Sequence, residues 1–293
     1  GWVVCDHSEA DKYRRLLREG KEIESQLAAD LDAHLNAEIA MGTIRDLGDV
    51  MDWLETTFYY VRANSNPDAY GLDDLEADLR SRVREALDRL DGRGFVNIGD
   101  DLGVSATPLG RLASKFYLRL DTAGEFRDLA EREEIGTDDI LRTVADAAEF
   151  DSVSARQSER EAVDSVLVGQ DAGELDPGAR KILAILRSTM TGTTPGELRS
   201  DAWVITQNAL RLFAALRAFL ERFDRPRAAN LARRVEARIE HGVSSDAVGL
   251  TALDGVGSGR ASKLAKEGIA APADVREAGA DGLADAGLST GVA

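Results

Sequence analysis

FVNIGDDLGVSAT, residues 95–107, is the stretch on which the reading of the fold turns. Two short runs, FVNI (95–98) and GVSAT (103–107), flank a polar turn, the pattern of a β-hairpin. What precedes it is helical in period. Ile23, Leu27, Leu31, Leu35 and Ile39 recur every four residues and predict a helix over 23–41, ended by Gly42. Val50, Leu54, Phe58 and Val61 predict a second helix over 47–62, followed by the loop Asn64-Ser65-Asn66-Pro67. Leu75, Leu79, Val83, Ala86, Leu87 and Leu90 predict a third over 73–90, stopped by Gly92 and Gly94. Three helices and then a hairpin is the plan of a winged-helix domain.

Downstream of Pro108 the pattern stays helical. Helices are expected at 109–119, 122–133, 137–147, 157–168, 177–190, 196–223 and 226–241. No repeat period emerges, so the expected architecture is a bundle, not a solenoid. The longest helix carries a capping-box pattern, Thr194-Pro195-Gly196-Glu197. Its core stripe is Val204, Ala209, Leu212, Leu216, Phe219 and Leu220. A second, partly polar stripe runs through Arg199, Trp203, Gln207 and Leu210. At the other end of the chain, Trp2–Cys5 reads as strand-like, and a helix pattern follows through Leu16 and Leu17. From Val248 the pattern is of short helices joined by Gly-rich turns. The fold class expected is mainly α: a winged helix, a helical bundle, then a helix-hairpin-helix.

Composition narrows the chemistry. The 293 residues are 43% hydrophobic and 30% charged, a globular balance. Cys5 is the sole cysteine, and His7, His34 and His241 lack metal-ligand spacing. No apolar run approaches the ~18 residues of a spanning helix. The opening GWVVCDHSEADKYRRLL has no basic n-region of a signal peptide, so a cytoplasmic, soluble protein with no membrane partner is expected. No G-x-x-x-x-G-K-[ST], H-E-x-x-H or G-x-S-x-G motif is present, and no residue is assigned a catalytic role. The net charge of −17 is dispersed in small acidic clusters such as Asp73-Asp74, Asp100-Asp101 and Asp138-Asp139. That fits either basic partners or adaptation to the molar-salt cytoplasm of a halophilic archaeon, where screening acts within ~3 Å. The second reading is favoured, because the acid is not gathered in one tail. Residues 211–241 break the trend, with eight arginines against four acids.

Two stretches carry binding chemistry. LDGVGSGRASKLAKEG (253–268) reads as two short helices joined by a Gly-x-Gly turn. Gly255, Val256, Gly257 and Gly259 would leave backbone N–H groups bare beside a helix N-terminus, where a phosphate can sit. Arg260 and Lys263 would add charge-assisted contacts. The plainer alternative is a Gly-rich turn that only packs two helices. The stripe Arg199, Trp203, Gln207 could stack on unpaired bases. Alternatively Trp203 is core and Arg199 a surface cap.

Taken together, IESQL (23–27), HLNAEIAMGTI (34–44), WLETTFYYVRANSNPDAYG (53–71), TPLGRLASKFYLR (107–119), SDAWVITQNALRLF (200–213) and LDGVGSGRASKLAKEGI (253–269) resemble the superkiller-like, superfamily 2 helicases. The likeness is to the branch of the spliceosomal and meiotic helicases, with the archaeal repair helicases as relatives. It implies a layout: residues 1–20 as the tail of the second motor (RecA-like) domain, 21–108 as the winged helix, 109–248 as the helical ratchet (Sec-type) domain, and 249–293 as the helix-hairpin-helix. It implies that ATP and Mg²⁺ belong to motor domains of the same polypeptide, with no cofactor in these residues. It implies a single-stranded or forked nucleic acid as partner, DNA rather than RNA, with Arg199, Trp203 and Gln207 facing the strand. Arg80, Arg82, Arg84 and Arg89 on the third helix are open to structural or nucleic-acid roles. A stand-alone nucleic-acid-binding adaptor and a protein-interaction scaffold without strand binding remain as alternatives.

Overall fold

The computed structural model describes residues 2–20, 23–100, 102–170, 172 and 174–288. Asp101 of one acidic pair, and the limits of the expected spans at Gly1, Lys21 and 289–293, lie outside the described residues. The fold is mainly α, with fourteen α-helices and one two-stranded sheet among the described residues. The chain divides into two compact units, Gly1–Thr107 and Pro108–Ala293.

The first unit holds α1 (Ala10–Glu19), α2 (Leu31–Met41), α3 (Leu47–Glu55), α4 (Phe58–Ser65), α5 (Leu75–Gly92), β1 (Val96–Ile98) and β2 (Val104–Ala106). The strands pair antiparallel, with Val96 opposite Ala106 and Ile98 opposite Val104. Val96, Val104 and Ala106 turn inward while Asn97 and Ser105 face out, the two-residue alternation of a half-buried hairpin. The chain just before α3 adds to this sheet through Val104 N–H, which donates to Arg45 O at 2.6 Å, and the bridge of Asp46 to Gly103. Leu35, Val50, Leu54, Val83, Ala86, Leu90 and Phe95 are fully buried and form the core beneath the wing. Side-chain caps start three of the helices: Asp46 for α3, Thr57 for α4 and Asp74 for α5.

Several expectations are corrected here. Residues 2–5 form no strand: among the described residues none pairs with them, and Trp2 and Val4 are exposed. The helix expected over 23–41 begins only at Leu31. The helix expected over 47–62 is two, because Thr57 caps a new start, and Tyr59 and Ala63 face the core in place of Phe58 and Val61.

The late start of α2 has a chemical cause. Glu24 accepts from Arg62 Nη2 at 2.6 Å and Nε at 3.2 Å, from Tyr70 Oη–H at 2.7 Å and from Asn66 Nδ2 at 3.3 Å. Ser25 N–H donates to Tyr70 Oη at 2.8 Å. These bonds hold 23–26 in an irregular path. They also join two of the motifs quoted above, IESQL and WLETTFYYVRANSNPDAYG, in one cluster. Hydrogen bonds from Arg62 and then Tyr70 hold the Glu24 carboxyl at about 2, from an ordinary 4.5. A depressed folded value contributes stability that is present above pH 4.5 and lost as the pH falls toward 2. Across that window the denaturant midpoint of the first unit is expected to fall more steeply in the wild type than in Glu24→Gln. Parallel pH profiles would contradict the assignment.

Of the α5 arginines, Arg82 donates to Tyr70 O at 2.6 Å and Arg89 pairs with Asp32 at 2.7 Å. Both therefore brace the winged helix internally.

The second unit contains α6 (Pro108–Lys115), α7 (Leu120–Glu131), α8 (Thr137–Ala145), α9 (Arg160–Leu167), α10 (Pro177–Thr189), α11 (Arg199–Arg222), α12 (Pro226–His241), α13 (Ser258–Lys266) and α14 (Pro272–Asp285). α10 is central: Ile182, Leu183, Ala184, Ile185 and Leu186 are buried in succession, which marks a helix covered on all sides. α11 packs on α6, α7, α8, α10 and α12. It pairs along its length with α12, where Ala228, Ala229 and Ala232 allow close approach. Its core stripe is Ile205, Ala209, Leu212, Phe213, Leu216, Phe219 and Leu220, with Val204 turned to solvent. No capping box forms at 194–197. A 3-10 turn, Gly196–Leu198, leads into α11, and Pro195 stands at its N-cap with no side-chain bond.

Past α12, Val243, Ala247, Leu250, Ala261, Leu264, Leu283 and Leu288 make a small core of their own. The element before the Gly-x-Gly turn is a five-residue 3-10 helix, Val248–Ala252. α14 breaks at Gly279. Among the described residues no helix is long and apolar enough to cross a membrane.

Candidate nucleic-acid interface

Arg199, Trp203 and Gln207 are spaced by four along α11, so they share one face, and all three are exposed. Trp203 is 72% exposed, which removes the possibility that it is core. The three line a groove of about 610 Å³. Its opposite wall comes from Thr189 at the end of α10, from Gly192 and Thr194 in the loop that follows, and from His241 and Gly242 where α12 ends. Arg199 Nε donates to Thr194 O at 3.3 Å, which ties the guanidinium to the facing wall. The groove therefore offers an indole face, a guanidinium, an amide and an imidazole, with the carboxylate of Glu240 also in its lining.

Behind the first turn of α11 lies a buried ion cluster. Lys181 on α10 is 1% exposed, and its Nζ donates to Glu159 Oε1 at 2.9 Å, Asp201 Oδ2 at 2.5 Å and Ser154 O at 3.3 Å. Burial by itself would raise the Glu159 carboxyl. The hydrogen bonds from Lys181 and from the Arg156 backbone N–H outweigh it and hold the group below the usual range. The hydrogen bond from Lys181 holds Asp201 low as well. The cluster fixes the start of α11, and with it the aim of Arg199 and Trp203.

The second candidate stretch folds as a tight turn into α13. Gly255 sits at φ +77°, a conformation that favours glycine, while Val256 tucks against the small core. Gly257 caps α13 with φ −75°, and Gly259 lies within it. A Cβ at either would meet nothing within 4 Å. Neither backbone angle nor packing therefore requires glycine at 257 or 259; their effect is to leave the amides uncovered. Arg260 Nη1 donates back to Gly255 O, bracing the turn, and Lys263 is exposed one turn further on.

All nine expected site residues thus fall into two local groups, three on α11 and six at the 255–263 turn. The wall formed by Thr189, Gly192, Thr194, His241 and Gly242 was not expected; Gly242 ending α12 was its only sequence signal. The ion cluster was also unexpected, and its one trace was a lysine set in the apolar run KILAIL (181–186).

Comparison with known proteins places this architecture. Residues 24–95 match a winged helix-turn-helix domain, and residues 106–269, more than half the chain, match the Sec63 Brl domain. The chain belongs to the Sec63 Brl family. Its winged helix and Sec63 module together are those of a superkiller-like superfamily 2 helicase. The Sec63 Brl chain is 32% identical over 234 residues to activating signal cointegrator 1 complex subunit 3 of Mus musculus, and 33% over 236 residues to that of Gallus gallus. Each alignment covers 74% of this chain and 10% of the relative. It is 30% identical over 170 residues to the probable ATP-dependent DNA helicase HFM1 of Xenopus tropicalis, covering 56% of this chain and 13% of that one. The Sec63 Brl chain thus spans about a tenth of the length of these relatives.

Proposed function

We propose that this Sec63 Brl region guides and grips the translocating single strand of an ATP-dependent nucleic-acid helicase. In this reading it works beside motor domains of the same polypeptide, which bind ATP and Mg²⁺, in the cytoplasm. Bases stack in turn against Trp203, with Arg199 and Gln207 contacting the neighbouring bases or backbone. The amides of the 255–259 turn, with Arg260 and Lys263, take a backbone phosphate of the strand or its duplex arm. Such contacts hold without reading sequence. DNA is preferred over RNA in this reading, supported by the helix-hairpin-helix character of the turn and the DNA helicase among the relatives.

The observation that carries the reading is Trp203: a large aromatic face held open to solvent in a groove, on a helix whose opposite face is packed into the bundle. The uncovered amides at Gly257 and Gly259 add to it.

The test is a titration of fluorescent single-stranded DNA, forked DNA, duplex DNA and RNA at moderate and near-molar salt. Single-stranded or forked DNA is expected to bind best. Affinity is expected to fall with salt through counterion release, and Arg260→Glu/Lys263→Glu is expected to weaken binding and reduce the salt slope by about two. No binding of any nucleic acid at either salt would overturn the reading in favour of a protein-docking scaffold.

A further inference from the structure

The stretch STMTGTT (188–194), the last two residues of α10 and the loop after it, separates two concavities. Thr189, Gly192 and Thr194 line the Trp203 groove. Ser188, Thr191 and Thr193 line a second cavity of about 340 Å³, together with Thr137, Arg187 and Arg238. No carboxylate lines this cavity among the described residues, in a chain whose net charge is −17.

Its two arginines are unusually placed. The Arg187 side chain is only 15% exposed; Nη2 reaches out to Asp138 at 3.0 Å, while Nε is buried with no hydrogen-bond acceptor. A buried donor left without an acceptor is destabilising, and native structures hold few of them. Arg238 has a single long bond, Nε to Val243 O at 3.4 Å, and pairs with no carboxylate among the described residues. Burial, followed by the nearby charge of Arg234, pushes its guanidinium below the usual range. The cavity therefore combines Arg238, which makes no ion pair among the described residues and has Asp246 only as a nearby charge, with Arg187, whose Nε–H is unanswered. Thr137 is the first residue of α8, so the positive end of that helix lies alongside.

We propose that this cavity is a phosphate-binding site, in which the guanidinium groups of Arg238 and Arg187 donate to phosphate oxygens. The arginines arrive from different helices, α10 and α12, and a tetrahedral phosphate presents oxygens in both directions, where a planar carboxylate presents one edge. The volume holds a phosphate with part of an attached group. Two sources share this chemistry. One is a backbone phosphate of a strand whose bases occupy the groove across the loop. The other is free phosphate or a small phosphorylated ligand.

The test titrates inorganic phosphate into the whole chain at constant ionic strength, with chloride as the exchanged anion. It reads the melting temperature and the ³¹P line width. The wild type is expected to show a saturable rise in melting temperature and a broadened line. Arg238→Met and Arg187→Met are each expected to weaken phosphate binding about tenfold or more. In chloride alone Arg187→Met is expected to melt close to the wild type, since the lost pair with Asp138 is offset by removal of a buried donor that lacks an acceptor. If Arg238→Met does not fold, Arg187→Met decides the matter.

A labelled single strand separates the sources. Competition by phosphate, with a salt slope reduced by about one in Arg238→Met, assigns the site to the strand backbone. Strand binding indifferent to phosphate assigns it to a small phosphorylated ligand. A wild type that responds to phosphate no more than to chloride would overturn the proposal, as would variants that bind phosphate like the wild type. The phosphate titration involves no strand, so it stands or falls independently of the Trp203 groove.

Discussion

Lys181→Met is expected to destabilise the helical unit by ~3–5 kcal/mol, the largest loss from any single charged residue of the chain. The size follows from what the substitution leaves behind. Glu159 is 1% exposed and would keep its negative charge in a dry site. Its remaining cation is the exposed Arg156, at 3.4 Å. Asp201, 2.5 Å from the lost ammonium, would lose its closest partner too. Removing one member of a buried ion cluster is far worse than removing both signs, because the desolvation of the survivor is no longer offset. The double variant Lys181→Met/Glu159→Gln is therefore expected to recover most of the loss. Urea unfolding of the Pro108–Ala293 transition measures both. A single variant within 1 kcal/mol of the wild type, or a double variant no better than the single, would show that the cluster does not set the start of α11.

Phe219→Ala is expected to cost a similar ~3–5 kcal/mol by a different route. Phe219 is fully buried where α7 and α11 meet. Its ring stands edge-on to Phe126 at 5.5 Å and stacks on Phe223 at 6.5 Å. The loss combines the transfer of the ring with a cavity that flanking helices can fill only in part. The edge-on pair adds about 0.5–1.5 kcal/mol to what area alone would give. The denaturant midpoint is expected to drop with the m-value unchanged, since the surface exposed on unfolding barely alters. Phe219→Leu, which keeps most of the volume, is expected to lose less than half as much. Equal losses for the two would mean that the site collapses freely and that α11 is not held by close packing.

Much of this architecture could be read from spacing. α5 met its expected face at Leu79, Val83, Ala86, Leu87 and Leu90, because a single uninterrupted helix obeys one period. The hairpin met its expected register region because its alternation is short and bounded by glycine. What escaped was decided by side-chain chemistry between distant residues. Apolar periodicity ran straight through 23–30, yet Glu24 gains more from Arg62, Tyr70 and Asn66 than another helical turn would give. Likewise, the apolar spacing across 47–62 concealed a break, because a Thr at 57 can either sit in a helix or cap one. Val204 was placed in the core stripe although counting back by four from Ala209 reaches Ile205, which is the buried residue. The exposed stripe of Arg199, Trp203 and Gln207 was legible from i, i+4 spacing alone. Its far wall was not, since His241 and the stretch 189–194 come from separate parts of the chain.

The most direct test of the strand-guiding role is the fluorescence of Trp203 itself. In a Trp2→Phe/Trp53→Phe background Trp203 is the only tryptophan left. Adding single-stranded DNA is expected to quench it saturably as bases stack on the indole. The Trp203→Ala variant is expected to bind ~1–3 kcal/mol more weakly by anisotropy. A strand that binds with full affinity while the Trp203 emission stays unchanged would contradict the role assigned to this groove.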